Sequence, residues 1–397
     1  MKKDLDYKQT DKEFIINTYN RQDVLLENGK GSTVFDNNNN KFIDFTSGIG
    51  VNSLGFCEED WTNAVINQVQ KIQHTSNLYY TKPQVELAEK LCGLTGFKKV
   101  FFSNSGAEAN EGAIKIARKY SFDKYGKNRY NILTLNNSFH GRTITTLKAT
   151  GQDVFHNYFF PFTEGFAYAD PNNICQTLDI LKNSGNSFCA VMIEIVQGEG
   201  GVIALERDYL EELYKYCEQN DILFIVDEVQ TGIGRTGSIL ASEHFEIKPD
   251  IITLAKGLGG GLPIGAVLTN SKTESVLSYS DHGTTYGGNP VACAGASVVL
   301  DKVSNSLDEI NKKSAYIINK LEQIKENTQE IKSISGMGLM LGIELSTKQA
   351  PDVLKECLEE GLIILSAKTK VRMLPPLNIS YQEIDDGLSM LESVLKK

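Results

Sequence analysis

At 397 residues the chain is long enough for two or so domains of ~150 residues around a substantial buried core, so it is not a small scaffold held by disulfides or metal. Its 41% hydrophobic and 23% charged residues are ordinary for a soluble globular protein, and no apolar run approaches the ~20 residues of a membrane span. A formal net charge of −10, uninterrupted by any basic run, would repel a phosphate backbone and argues against a nucleic-acid partner.

The N-terminal MKKDLDYKQTDKEF opens on lysines with no apolar stretch behind them; this does not read as a secretory signal, and a cytoplasmic location is expected. TVFDNNNNKFIDF (33–45) reads as a β-hairpin turning on its asparagines. Between about Lys99 and Ala266, short apolar runs alternate with longer amphipathic stretches, the pattern of a mostly parallel sheet covered by helices, so the fold class is α/β. The expected buried strands are KKVFFS (98–103), YNILTLN (130–136), CAVMIEIV (189–196), ILFIVDE (222–228), IITLA (251–255) and IGAVLT (264–269). Helical spacing covers Glu108 to Tyr120 and Tyr209 to Gln219. After Asn289-Pro290 the texture changes to a long helical region, then GMGLMLGIEL and GLIILSAKTKVRMLPPL, which read as a smaller α+β unit. The expected organisation is an N-terminal segment (1–50) packing with the small unit, a large domain (51–290) and a small C-terminal domain (291–397). Cys57, Cys92, Cys175, Cys189, Cys217, Cys293 and Cys357 show no C-x-x-C or zinc-like spacing; they read mostly as small buried hydrophobes, and no metal site is expected.

In an open parallel sheet ligands bind beyond the carboxyl ends of the strands, which directs attention to SNSGAEAN (103–110), FHGRT (139–143), DEVQTG (227–232) and AKGLGGG (255–261). SNSGAEAN puts small residues where a strand turns into a helix, leaving backbone N–H groups at a dipole end that suits phosphate; the plainer reading is a capped turn with Ser105 as cap. Asp227 ends a strongly apolar strand, so its carboxylate needs a cation or donor, either a nearby arginine or the protonated ring nitrogen of a cofactor. Lys256, between an apolar strand and a glycine-rich loop, either snorkels to solvent or is held in a pocket as an amine nucleophile. A nucleotide triphosphatase would need a G-x-x-x-x-G-K-[ST] loop, and none is present. Gly232, Gly234 and Gly237 match G-x-G-x-x-G, but the acidic residue at about the right distance, Asp250, precedes a strand instead of ending one, which leaves a nicotinamide dehydrogenase poorly supported.

Taken together and in order, SNSGAEAN, FHGRT, EIVQGEGG, ILFIVDEVQTGIGRTG, TLAKGLGGGLPIGA and HGTTYGGNP resemble the class III, or ornithine-type, pyridoxal-phosphate aminotransferases over nearly the whole chain. Within that family HTSNLYYTKPQVELAEKL (74–91) and FHGRT look most similar to the members that use acetylornithine. One departure is GFCEEDW (55–61), which replaces the histidine- and proline-bearing turn usual there and bears on local loop geometry, not on an expected catalytic role.

The resemblance implies a fold-type-I homodimer with shared active sites and pyridoxal 5'-phosphate as cofactor. It implies that Lys256 carries the cofactor as a Schiff base and then shuttles a proton, and that Asp227 keeps the ring nitrogen protonated. Phosphate would lie on Ser105, Gly106 and Ala107, with Thr285 reaching in from a second copy; the ring would sit between Phe139 and Val229, with Gln230 near its phenolic oxygen. Substrate would be held by Arg142, Arg372 and Thr284, with Glu199 covering Arg372 when that arginine has no substrate partner. A guanidinium suits this work because its planar fork grips a carboxylate bidentately. The implied reaction moves the δ-amino group of N2-acetyl-L-ornithine to 2-oxoglutarate. Succinylornithine, ornithine and 4-aminobutyrate remain alternative donors, and a non-catalytic pyridoxal-binding relative would require a missing catalytic residue.

Overall fold

All six apolar runs form strands in the computed structural model, which describes residues 6–397. The first five residues, part of the stretch read for a leader and of the expected 1–50 unit, lie outside the described residues. Five of the runs and most of the sixth build one seven-stranded sheet in the order Lys99–Ser103, Gly265–Thr269, Ile251–Leu254, Leu223–Asp227, Phe188–Ile193, Asn131–Leu135 and Phe166–Ala169. Pairing is parallel from Ile251–Leu254 to the far edge, whereas Gly265–Thr269 runs antiparallel to both of its neighbours. The three central strands, Phe188–Ile193, Leu223–Asp227 and Ile251–Leu254, are buried at every position, as expected of a sheet with helices on both faces.

Two details differ from the expectation. The run 189–196 breaks at Glu194, where the chain leaves the sheet; Val196–Gln197 pairs instead with Ile203–Ala204 in a separate ribbon. Phe166–Ala169 adds an edge strand that the apolar pattern did not reveal. The expected helices are present and longer, as Gly106–Tyr125 and Arg207–Gln219, and the Ser105 hydroxyl caps the first by accepting from the Glu108 N–H at 3.2 Å.

The asparagine turn forms as expected, with Asp36 Oδ1 accepting from the N–H groups of Asn38 and Asn40 at 2.8 Å each between Thr33–Asp36 and Lys41–Asp44. A third strand, Leu26–Lys30, flanks this hairpin, and Leu362–Ile363 from the C-terminal region pairs parallel with its other side. A further four-stranded sheet comprises Ile331–Met337, Met340–Leu345, Lys370–Met373 and Leu365–Ala367. Pro290 opens a helix, Pro290–Ser304, that packs on Glu59–Val69 and Lys82–Thr95.

Two side chains join distant segments around the lysine-bearing loop. Arg235, buried, donates to the carbonyls of Leu339 at 3.0 Å and Pro375 at 2.6 Å. Trp61, in the altered GFCEEDW turn, donates from its indole N–H to the Gly259 carbonyl at 3.1 Å. Glycine is required opposite that indole: a Cβ on Gly260 or Gly295 would come within 2.9 and 2.8 Å of its Nε1. Among the described residues no helix is long and apolar enough to cross a membrane. All seven cysteines are free; Cys189, Cys217, Cys293 and Cys357 are buried, whereas Cys57 and Cys175 are exposed.

Candidate active site

The carboxyl ends of the parallel strands converge on a cleft of about 400 Å³, a size ordinary for a small-molecule site. Ten of the expected residues line it: Ser105, Gly106, Ala107, Phe139, Arg142, Glu199, Asp227, Val229, Gln230 and Lys256. Gly106 begins the 20-residue helix that follows the first strand, so the free N–H groups of its opening turn face the cleft end of that helix. Only glycine fits there, because a Cβ would stand 2.7 Å from Val229 Cγ1.

Asp227 ends its strand 3% exposed, yet no arginine or lysine among the described residues forms an ion pair with it. Neutral and ring donors hold it instead: Asn110 Nδ2 at 2.7 Å and His140 Nδ1 at 2.8 Å from Oδ2, and the Val229 N–H at 3.0 Å from Oδ1. Asn110 also donates to the His140 carbonyl at 2.7 Å, which locks the two residues together, while His140 Nε2 is buried without a partner. The arrangement orients the carboxylate and, among the described residues, gives it no arginine or lysine partner.

Glu194 is the second acid of the floor, 6% exposed, and accepts from the Phe139 N–H at 2.9 Å. Burial, then the neighbouring charge of Asp227, push its carboxyl well above the usual range. Lys256 stands opposite these acids with φ at +40°, in the left-handed region that a non-glycine residue rarely adopts; such strain clusters at functional sites. Burial lowers its ammonium from the ordinary lysine value, against the opposing pull of Glu199, Asp227 and Glu194. It is therefore a held amine and not a snorkelling surface lysine.

The two arginines are placed differently. Arg142 is exposed at the cleft mouth, its Cζ 4.0 Å from the Phe155 ring centroid and 5.6 Å from that of Phe139. Arg372 is 3% exposed and donates from Nη1 to Glu199 Oε1 at 2.8 Å. Burial raises the Glu199 carboxyl, but the Arg372 charge and hydrogen bond outweigh it and hold the group below the usual range.

Thr284 and Thr285 do not line the cleft of their own chain. Thr284 Oγ1 accepts from Asn104 Nδ2 at 3.1 Å, one residue before Ser105, and Thr285 is exposed beside a hollow shared with His74, Asn77 and Gln84. Asn110, His140 and Glu194 had no assigned role in the sequence reading although all three lie in quoted motifs. The signal available for Glu194 was a lone acid inside an apolar run; for Asn110 and His140 there was none, because their partner lies 117 and 87 residues away. No group of three or more His, Cys, Asp or Glu among the described residues could hold a metal ion.

Comparison with known proteins agrees with this geometry. The chain is 51% identical over 394 residues to an acetylornithine aminotransferase of Haemophilus ducreyi, with 98% of each chain covered. It is 44% identical to that of Caldanaerobacter subterraneus, again over 98% of both. Among solved structures, an ornithine aminotransferase of Toxoplasma gondii with partially occupied PLP at its active site superposes with a TM-score of 0.93 at 31% identity, covering 100% of this chain and 95% of its own. The N-acetylornithine aminotransferase of Stenotrophomonas maltophilia does so with a TM-score of 0.83 at 36% identity, covering 95% and 96%. The fold is thus that of the fold-type-I transferases, and the family description Aminotransferase class-III matches residues 16–395, so that the chain belongs to the class III aminotransferases.

Proposed function

We propose that this enzyme transfers the δ-amino group of N2-acetyl-L-ornithine to 2-oxoglutarate, giving N-acetyl-L-glutamate 5-semialdehyde and L-glutamate, with pyridoxal 5'-phosphate as cofactor. The observation that carries the reading is one cleft lined by a strained, half-buried lysine, a buried carboxylate with no arginine or lysine partner among the described residues, and Arg142, with Arg372 paired to the Glu199 that also lines it. Near-full-length likeness to acetylornithine aminotransferases supports the donor.

The residues present fit the cofactor. The N–H groups at Ser105, Gly106 and Ala107 suit its phosphate, and Asp227, held by Asn110, His140, the Val229 N–H and Thr253, suits a protonated ring nitrogen. Phe139 and Val229 would flank the ring, and the buried, unpartnered Gln230 Oε1 marks a side chain with capacity left for a ring substituent. When bound, the cofactor supplies an electron sink for the pair released at the substrate carbon.

The chain's own groups do the rest. Burial favours the neutral form of Lys256, so its Nζ can attack as a nucleophile and can take a proton from the substrate carbon and return it one position away. Arg142 would grip the α-carboxylate of acetylornithine or the side-chain carboxylate of glutamate. Arg372 would grip the α-carboxylate of glutamate once Glu199 yields it, and Thr284 would complete the substrate contacts beside Asn104. Thr285, exposed and outside its own cleft, suits delivery to the phosphate of a second copy in a homodimer. We further infer a cytoplasmic enzyme of arginine biosynthesis, and a division into an N-terminal segment (1–50) that packs with the small unit, a large cofactor-binding domain (51–290) and a small C-terminal domain (291–397), supported by the pairing of Leu362–Ile363 with Lys41–Asp44.

The test is a panel of ω-amino donors assayed with 2-oxoglutarate. Acetylornithine should give the highest kcat/KM, while a higher value for ornithine, succinylornithine or 4-aminobutyrate would replace the donor. Lys256→Ala should retain cofactor and lose turnover, and an active variant would remove the central assignment.

A further inference from the structure

We propose that Phe155 is a positioning residue for carboxylate recognition, holding the Arg142 guanidinium at the cleft mouth on the face of its ring. The inference rests on Arg142 being the arginine that serves both substrates. Phe155 does not line the cleft; it stands behind Arg142, whose Cζ lies 4.0 Å above its ring centroid, nearer than the 5.6 Å to Phe139. The two rings meet edge to face, with centroids 6.0 Å apart at 77°. Among the described residues Arg142 has no carboxylate within ion-pair distance, so aromatic faces are its fixed neighbours.

The ring is anchored to the segment that carries Arg142. At the root of the short turn Asp153–Phe155, the Gln152 side chain donates to the Ser138 carbonyl at 3.0 Å. The Gly151 N–H donates to Ser138 Oγ at 3.0 Å, and the Asn137 N–H to the Gly151 carbonyl at 2.7 Å. Ser138 immediately precedes Phe139, so ring and guanidinium are fixed to one stretch of backbone. A guanidinium lying over a ring keeps its in-plane N–H fork free, whereas an acidic partner would occupy the same donors and compete with the substrate. Restricting a long side chain before binding also removes rotamer entropy that binding would otherwise cost.

The experiment compares Phe155→Leu, Phe155→Tyr and Arg142→Ala in the holoenzyme. Phe155→Leu should raise KM roughly three- to tenfold for acetylornithine and for 2-oxoglutarate alike, with kcat near wild type, as expected for loss of one partly exposed cation–π contact. Phe155→Tyr, which keeps the ring face, should restore both KM values. The apparent affinity for 1,4-diaminobutane, read as substrate or as competitive inhibitor, should not move in Phe155→Leu because that amine has no carboxylate. Melting temperatures accompany each variant, and Phe155→Met replaces Phe155→Leu if the latter melts early. Unchanged KM values in Phe155→Leu beside a large rise in Arg142→Ala would overturn the role of Phe155 alone, as would a loss confined to kcat or shared by the diamine. Unchanged KM values in Arg142→Ala would instead overturn the reading of Arg142.

Discussion

The two arginines, one lining the cleft and one behind its Glu199, are placed by opposite means. At the mouth Arg142 rests on phenyl faces and, among the described residues, forms no ion pair; on the inner side Arg372 is buried and ion-paired with Glu199 at 2.8 Å. A cation on a ring keeps its hydrogen-bonding fork permanently on offer, whereas a cation on a carboxylate is on offer only when the carboxylate withdraws. The difference is what an enzyme needs if one carboxylate site must serve two substrates in turn and a second site must serve only one of them.

The strongest way to break this contrast is Arg142→Ala. Both half-reactions should weaken by ~2–5 kcal/mol, the cost of truncating a desolvated charge pair, read as single-turnover rates with acetylornithine and with glutamate separately. A loss in only one of them would mean that the mouth is not shared.

Next come the two members of the inner pair, which should shift the donor ratio in opposite directions. Arg372→Ala should damage mainly the glutamate half-reaction, because acetylornithine presents no carboxylate there. Glu199→Ala leaves the buried arginine free to attract an α-carboxylate in every state, so relative preference should move toward glutamate, by about tenfold for each ~1.4 kcal/mol of pairing lost. Equal losses in both half-reactions for Arg372→Ala, or an unmoved ratio for Glu199→Ala, would show that the gate is built elsewhere.

The smallest effect sharpens the comparison by way of the acid on the cleft floor. Because burial and Asp227 raise the Glu194 carboxyl in the folded protein, an unfolded chain loses that proton first, near the ordinary glutamate value of ~4.3. Above that pH the raised value costs stability, increasingly until the folded group also ionises. Glu194→Gln removes the cost, so in protein freed of cofactor its melting temperature should exceed that of wild type at pH 8 and the gain should shrink toward pH 4. A gain that grew as pH fell would reverse the sign and refute the assignment.

How much of this was legible in the sequence followed the range of the forces involved. The central strands announced themselves because each is buried on both faces and must be apolar throughout, and Asp227 and Lys256 stood out as charges at the ends of such runs. Phe166–Ala169 was missed because an edge strand of four residues, FAYA, carries little β-branched signal. Leu26–Lys30 was missed because LENGK is mostly exposed and has no apolar alternation. The break at Glu194 was hidden inside CAVMIEIV, where the acid reads as one polar interruption until its partner at Phe139 is known. His140 and Asn110 act on Asp227 across long sequence separations, and Phe155 acts on Arg142 through a stacking contact that leaves no periodic trace.

The altered turn at 55–61 has an optical consequence. Trp61 is the only tryptophan in the chain, and its indole N–H is bonded to the carbonyl of Gly259, three residues from Lys256. All tryptophan emission of the protein therefore originates at one fluorophore whose polar atom touches the loop that carries the reactive amine. A shift of that loop large enough to break the bond changes the polarity around the indole, so movement at the active centre can be followed by fluorescence in the unlabelled, unmutated enzyme.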